Sequence, residues 1–245
     1  MIPILAARAL AAPFSWDPVA DSAITGATGV TWAVLYFSVE PTLAPRPFGT
    51  RVPGGIDAVA LGRWNPGLAL ASDLTLYGMI PITIGIAAVD GKRDGDLLTP
   101  ALLLVETWAV TGIAVEALKN AVGRPRPYVW IADPPADLRE ELETADATYS
   151  FPSGHTAFAG ALSFGTATLL VNSGELHPGV AYGVAGALTA GMGVLRVGAG
   201  KHYPTDVIAG AALGVGVGLA VPTLHQVEAA TLSVTPAGVE VTLPW

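Results

Sequence analysis

Three short stretches of this chain combine residue types suited to moving phosphate groups and protons. The first, Lys119-Asn-Ala-Val-Gly-Arg-Pro-Arg126, is rich in fixed cations. The second, Pro152-Ser153-Gly154-His155, reads as a helix start: a proline, a serine able to cap, and a glycine with no side chain to keep an anion off the backbone. The free N–H groups of a helix's first turn, with the helix dipole behind them, make an anion site of that end. The third, Arg196-Val-Gly-Ala-Gly-Lys-His202-Tyr-Pro-Thr-Asp206, puts Pro204 at a helix start and Asp206 in its first turn. From there a carboxylate can reach back to His202 and hold one ring nitrogen protonated. The other nitrogen is then a free lone pair, the base or nucleophile of a triad.

Each stretch has a plainer reading when taken singly. A basic cluster after a helix serves as a dipole partner or interfacial anchor, Ser153 as a simple N-cap, and His202 as an exposed loop histidine. Taken together, Lys119, Arg126 and Arg196, a helix N-terminus and two histidines are what phosphoryl transfer without a metal requires. The cations offset charge on the equatorial oxygens, one imidazole attacks, and the other protonates the leaving group. No carboxylates and histidines stand at metal-ligand spacing, so neither a metal nor any other cofactor is expected. Glu116 and Lys119, three apart, pair on one helix face. Asp73 and Glu106 lie within apolar stretches and read as partners of buried donors, with nothing local to complete a site.

Positioning these residues falls to six apolar stretches, 23–39, 68–89, 97–117, 156–171, 179–197 and 206–221. Each is near the roughly 20 residues that cross a hydrocarbon core. They are rich in Ala and Gly, which suits close helix packing. Of the 245 residues 13% are charged and 51% hydrophobic, where a soluble chain carries roughly 25% charged residues. That excludes a disordered chain and argues against an ordinary soluble enzyme, leaving a soluble bundle of Ala-rich helices as the alternative to a membrane protein. Twelve Lys and Arg against 20 Asp and Glu, net −8, leave no basic face for nucleic acid. With no cysteine, disulfides and thiolate chemistry are excluded.

The predicted fold is therefore all-α: a membrane-spanning six-helix bundle over 23–222. A leader or interfacial segment over 1–22 precedes it, and a tail over 223–245 follows. In the tail, period-two alternation around Thr235-Pro-Ala-Gly238 predicts a β-hairpin. If the last four spans cross, the linkers after the third and fifth emerge on one side and the three stretches meet there.

Lys119-x6-Arg126-Pro127, Pro152-Ser153-Gly154-His155 and Arg196-x5-His202-x3-Asp206 resemble the three signature motifs of the type 2 phosphatidic acid phosphatase superfamily, which also includes bacterial acid phosphatases and vanadium haloperoxidases. Order and spacing match; one departure is Leu195, where the family usually has Ser. The resemblance implies that His202 attacks phosphorus, that Asp206 orients it and stabilises its imidazolium, and that His155 protonates the leaving alcohol and then activates water. It also implies that Lys119, Arg126, Arg196, the Ser153 hydroxyl and the Gly154 amide hold the phosphate oxygens without a metal. With the membrane composition it implies a lipid phosphate monoester or pyrophosphate as substrate, and a multi-pass protein with an extracytoplasmic site. The turn at Lys92–Arg93 agrees with that sidedness, while the larger number of cations on the motif side points the other way. The competing expectations are a soluble or periplasmic acid phosphatase and, from a different class, a non-catalytic anion-binding membrane protein or transporter. No feature specifies an oligomeric state.

Overall fold

Prolines and glycines set the ends of the helices that carry the motifs. In the computed structural model, which describes residues 14–38, 52–93, 95–227, 231–235 and 238–242, seven α-helices occur among the described residues. They are α1 (Ala20–Ser38), α2 (Pro66–Arg93), α3 (Thr99–Val122), α4 (Ala136–Leu142), α5 (Gly154–Asn172), α6 (Pro178–Gly198) and α7 (Pro204–Leu224). Proline stands in the first turn of α3, α6 and α7, where its missing N–H has no helical partner to lose. Gly123 ends α3 at φ 58°, a left-handed turn that glycine adopts without strain.

The six-helix count is corrected on two points. First, α4 lies in the polar linker; its charges hide the short apolar pair Leu138 and Leu142, and Leu138 is buried with Tyr128 and Ala147. Second, among the described residues four segments are long and apolar enough to cross a membrane: Pro66–Lys92, Thr99–Trp130, Pro178–Gly198 and Pro204–Leu224. Helices α1 and α5, 19 residues each, are not among them. Helix α5 needs no apolar outer face, because its neighbours α2, α3, α6 and α7 bury it along most of its length. By contrast, Leu74, Ile82 and Val89 of α2, Val180, Val184 and Val194 of α6, and Ile208 of α7 all point outward. So large an apolar surface belongs against hydrocarbon, and the chain is a membrane protein.

Helix α7 lies directly on α5. A Cβ on Gly210, Gly214 or Gly218 would come within 2.4 Å of the Ser153 carbonyl oxygen, 2.0 Å of Ala157's and 2.6 Å of Ala161's. Only hydrogen fits along this stripe, so the backbones pack in contact. The two N-termini are thereby held side by side, and the Ser153 N–H donates to the Asp206 carbonyl at 3.0 Å.

Strands β1 (Thr231–Thr235) and β2 (Gly238–Thr242) pair antiparallel, with Leu232 opposite Val241 and Val234 opposite Val239. Of the predicted N-terminal segment, 1–13 lie outside the described residues. Phe14 is buried in the core and bridges to Gln226, and α1 begins at Ala20.

Candidate active site

The C-terminal ends of α3 and α6 and the N-terminal ends of α5 and α7 meet at one end of the bundle, around a cavity of about 900 Å³. Six of the eight residues singled out by the motifs line it: Lys119, Arg126, Gly154, His155, Arg196 and His202. Asp206 and Ser153 are fully buried and not among the lining residues. The turn from α6 to α7 passes through Gly200 at φ +76°, where a Cβ would lie 1.9 Å from the Arg63 carbonyl oxygen. A side chain there would push the His202 loop out of place.

The partners of His202 define its tautomer. Nδ1 is 2.7 Å from the Ser150 carbonyl, which can only accept, so Nδ1 carries the proton. Nε2 is 3.4 Å from Arg126 Nη1, which can only donate, so Nε2 presents a lone pair beside that guanidinium. Burial, followed by the charges of Arg126 and Arg196, pushes His202 well below the usual histidine value, which keeps the lone pair free. The predicted direct hydrogen bond from His202 to Asp206 is not formed: Asp206 Oδ2 lies 3.8 Å from Nδ1. That oxygen instead accepts from the Ser150 hydroxyl at 2.6 Å and the Tyr203 N–H at 2.8 Å, while Oδ1 accepts from Arg124 at 2.5 Å. Asp206 thus reaches His202 through Ser150, whose hydroxyl it holds and whose carbonyl anchors the ring.

Each cation around the cavity has a carboxylate partner. Lys119 donates to Glu116 at 2.9 Å, the pairing predicted from their spacing. Arg126 donates to the Asp146 side chain and, through Nε, to the Asp146 carbonyl at 2.7 Å. Burial alone would raise Asp146, but Arg126, Lys201 and Lys119 hold it down at about 2. Lys201 pairs with Glu141 and lies over the Trp64 and Tyr128 rings. Arg196 is 3.4 Å from Asp73 and donates to the Ser72 hydroxyl at 2.8 Å, so α2 supplies a hydroxyl although Leu195 does not. Arg196 Nε is buried with no hydrogen-bond partner, a donor turned to no group of the protein.

His155 has the direct carboxylate contact that His202 lacks, with Nε2 2.7 Å from Asp73 Oδ1. Asp73, Ser150, Asp146 and Arg124 are the site residues missed by motif reading. Asp73 stood out as a charge in an apolar stretch, and Arg124 lies inside the first motif. Ser150 and Asp146 carried no signal in the sequence. Ser153 begins α5 as its N-cap residue without a side-chain cap bond; its hydroxyl lies 3.0 Å from that of Thr156. Gly154 packs beside Lys119, whose Nζ would lie 3.7 Å from a Cβ there. Away from the cations the cavity wall turns apolar, with Trp32, Tyr36, Leu70, Tyr77 and a stacked pair, Trp108 on Phe158, at 4.0 Å. The chamber is cationic at one end and greasy at the other.

A family model, the PAP2 superfamily, matches residues 100–229, more than half of the chain. The chain is 35% identical to a lipid A 1-phosphatase of Rhizobium etli over 117 residues, 45% of this chain and 44% of that protein. It is 35% identical to one of Rhizobium johnstonii over 114 residues, 44% of this chain and 41% of that one. A probable lipid phosphate phosphatase 4 of Arabidopsis thaliana is 30% identical over 159 residues, 56% of this chain and 51% of that one. The chain therefore spans about half the length of the curated relatives it matches. In fold it is similar to a transmembrane PAP2-type phosphatidylglycerolphosphate phosphatase from Bacillus subtilis. The TM-score is 0.52 at 20% identity, over 83% of this chain and 94% of that one.

Proposed function

The chain belongs to the PAP2 superfamily, and on that premise we propose that it is a metal-independent phosphatase of lipid phosphate monoesters or pyrophosphates, acting through a phosphohistidine. The observation that carries the reading is the His202 lone pair on Nε2, fixed by Ser150 and set beside Arg126 in a cavity that also holds Lys119, Arg196 and His155. Nε2 attacks phosphorus as the bond to the leaving oxygen breaks, and that oxygen takes a proton from His155. Water, deprotonated by His155, then attacks phosphorus, the N–P bond breaks, and inorganic phosphate leaves. Lys119, Arg126, Arg196 and the Gly154 N–H hold the phosphate oxygens, and the Ser153 hydroxyl joins them by turning away from Thr156. Asp206 and Ser150 hold His202 as its imidazolium forms, and Asp73 does the same for His155.

Several features support this reading over its rivals. Of the five lining carboxylates, Glu116, Asp146, Asp73 and Glu141 are each taken up by a cation and Asp137 accepts from Trp64 Nε1 at 2.8 Å, where a two-metal phosphatase would leave carboxylates to the metals. A transporter that only binds anions needs no histidine held as one tautomer. The aromatic and aliphatic wall beside the cations suits a substrate with an acyl or prenyl chain better than a small water-soluble phosphate. The relatives named for lipid A 1-phosphate and lipid phosphate act on this substrate class, and we place the site on the extracytoplasmic side.

The test is phosphate release from lipid phosphates, polyprenyl pyrophosphates and water-soluble monoesters, with and without EDTA and vanadate. Lipid substrates should be hydrolysed fastest, EDTA should leave turnover at 25 °C intact, and vanadate, a mimic of five-coordinate phosphorus, should inhibit. Turnover lost on chelation and restored by Mg²⁺ would show the mechanism to be wrong. Equal rates on glucose phosphate and phosphatidic acid would overturn the substrate class.

A further inference from the structure

We propose that Asp21, Glu106 and His225 form a binding site for a divalent transition-metal ion, with Zn²⁺ the best fit, at the end of the bundle opposite the phosphate cavity. The three residues come from the first turn of α1, from α3 and from the residue that closes α7. Helix α7, 21 residues and thus about 31 Å long, separates His225 from the His202 loop.

One ligand atom from each residue lies within 4.8 Å of the other two. His225 Nε2 is 3.3 Å from Asp21 Oδ1 and 3.7 Å from Glu106 Oε2. Around tetrahedral Zn²⁺, with bonds of about 2.0–2.1 Å, ligand atoms stand about 3.3–3.4 Å apart, so two of the three edges are already near that spacing.

Two further observations point to a ligand. Glu106 is only 4% exposed, and its Oε2 has no hydrogen-bond partner. A carboxylate oxygen buried in that way is costly until something satisfies it. His225 Nδ1 lies 2.7 Å from the Val221 carbonyl and so carries the proton, leaving Nε2 to face both carboxylates. Nε2 is thus the ring atom presented to a ligand between the two carboxylates. Among the described residues, no Lys or Arg lies within 4 Å of either carboxylate.

A backbone carbonyl on the far nitrogen is also how metal-bound imidazoles are held in orientation. The mixed donor set favours Zn²⁺ over Mg²⁺ and Ca²⁺, which take oxygen ligands. The other Asp21 oxygen accepts from the Asp17 N–H at 2.5 Å, and the Ser15 N–H donates to the His225 carbonyl at 2.9 Å. The ion would thus clamp the segment before α1, and α1 itself, to α3 and α7. No spacing in the sequence marks positions 21, 106 and 225 as one set.

The test uses full-length protein in detergent, freed of any affinity tag, stripped with chelator and titrated with Zn²⁺ alone. Metal per chain and Tm are both read. One Zn²⁺ per chain is expected, with a Tm that rises until the site is filled. Glu106→Gln, which keeps the shape and removes the charge, should bind at least about tenfold more weakly. His202→Ala should bind like the wild type. Less than half an equivalent bound by the wild type overturns the proposal whether or not any variant folds. Binding lost in His202→Ala but kept in Glu106→Gln overturns it as well.

Discussion

Replacing Asp206 by Asn tests whether a carboxylate that touches the nucleophile only through Ser150 still serves the chemistry. Attack by Nε2 turns the neutral His202 ring into a cation 3.8 Å from Asp206 Oδ2. A unit charge at that distance is worth about 4 kcal/mol at an effective dielectric of 20 and about 1 kcal/mol in water. Arg124, 2.5 Å from the other oxygen, offsets part of that field. A loss of roughly 2–3 kcal/mol follows, or about 10²-fold on the phosphorylation step. Asn keeps an oxygen for the Ser150 hydroxyl, so the ring anchor survives. The assay is rapid-quench release of the alcohol from a lipid phosphate, with Tm measured in parallel because Asp206 is fully buried. The wild type should show a burst if hydrolysis of the phosphoenzyme limits turnover. In the variant the burst should shrink, because the imidazolium intermediate loses its counter-charge and forms more slowly than it breaks down. A first step within twofold of wild type at unchanged Tm would refute the reasoning. A loss beyond 10⁵-fold at unchanged Tm would mean that Asp206 takes part in bond making directly.

His155→Ala should cost 10²–10⁴ on a lipid phosphate but clearly less on p-nitrophenyl phosphate, whose leaving group needs no proton, while His202→Ala should abolish both; the opposite pattern would exchange their roles. Because His202 is held well below the usual histidine value, the acid limb of kcat/KM should lie below pH 6.5. By the same sign, its contribution to stability is complete above about pH 6.5 and is lost as pH falls toward its folded value; an acid limb at 6.5 or higher would contradict this. For sidedness, a cysteine at Asp133, 99% exposed in the motif-side linker, should react with an impermeant reagent in intact cells; protection there would put the site in the cytoplasm. Gly214→Ala would place a Cβ 2.0 Å from the Ala157 carbonyl oxygen, forcing α5 and α7 apart, so a loss of at least about 1–3 kcal/mol should appear in Tm.

What could be read from the sequence is what depends on order along one helix or loop. Ser153-Gly154-His155 begins a helix because of its own residues, and Lys119 and Glu116 share a face because they are three apart. The gathering of Lys119, Arg126, His155, Arg196 and His202 at one end follows from counting crossings. Partnerships across elements were out of reach. Asp73 meets His155 because α2 is turned so that Asp73 lines the cavity and Ser72 meets Arg196, and an apolar stretch with a weak helical face does not reveal its rotation. Asp146 meets Arg126 through the path of a linker with its own short helix. Asp206 was assigned to His202 on distance along the chain. In the structure Tyr203, Ser150 and Arg124 compete for the same two oxygens and take them.

These partnerships explain how the site keeps its cations together before a substrate arrives. Two guanidiniums and two ammonium groups around one cavity repel one another, and burial removes the water that would screen them. Glu116, Asp146, Asp73 and Glu141 supply the counter-charge. On the proposed reading, a phosphate entering the cavity competes with these carboxylates for donors they already hold. The Nε of Arg196 is the exception, a buried donor that no carboxylate occupies. A substrate oxygen that reaches it takes that donor from no carboxylate, and Nη1 of the same guanidinium lies 3.4 Å from Asp73, the partner of His155. The approach of a second anion to Asp73 favours a proton between them, and His155 is the residue able to supply it.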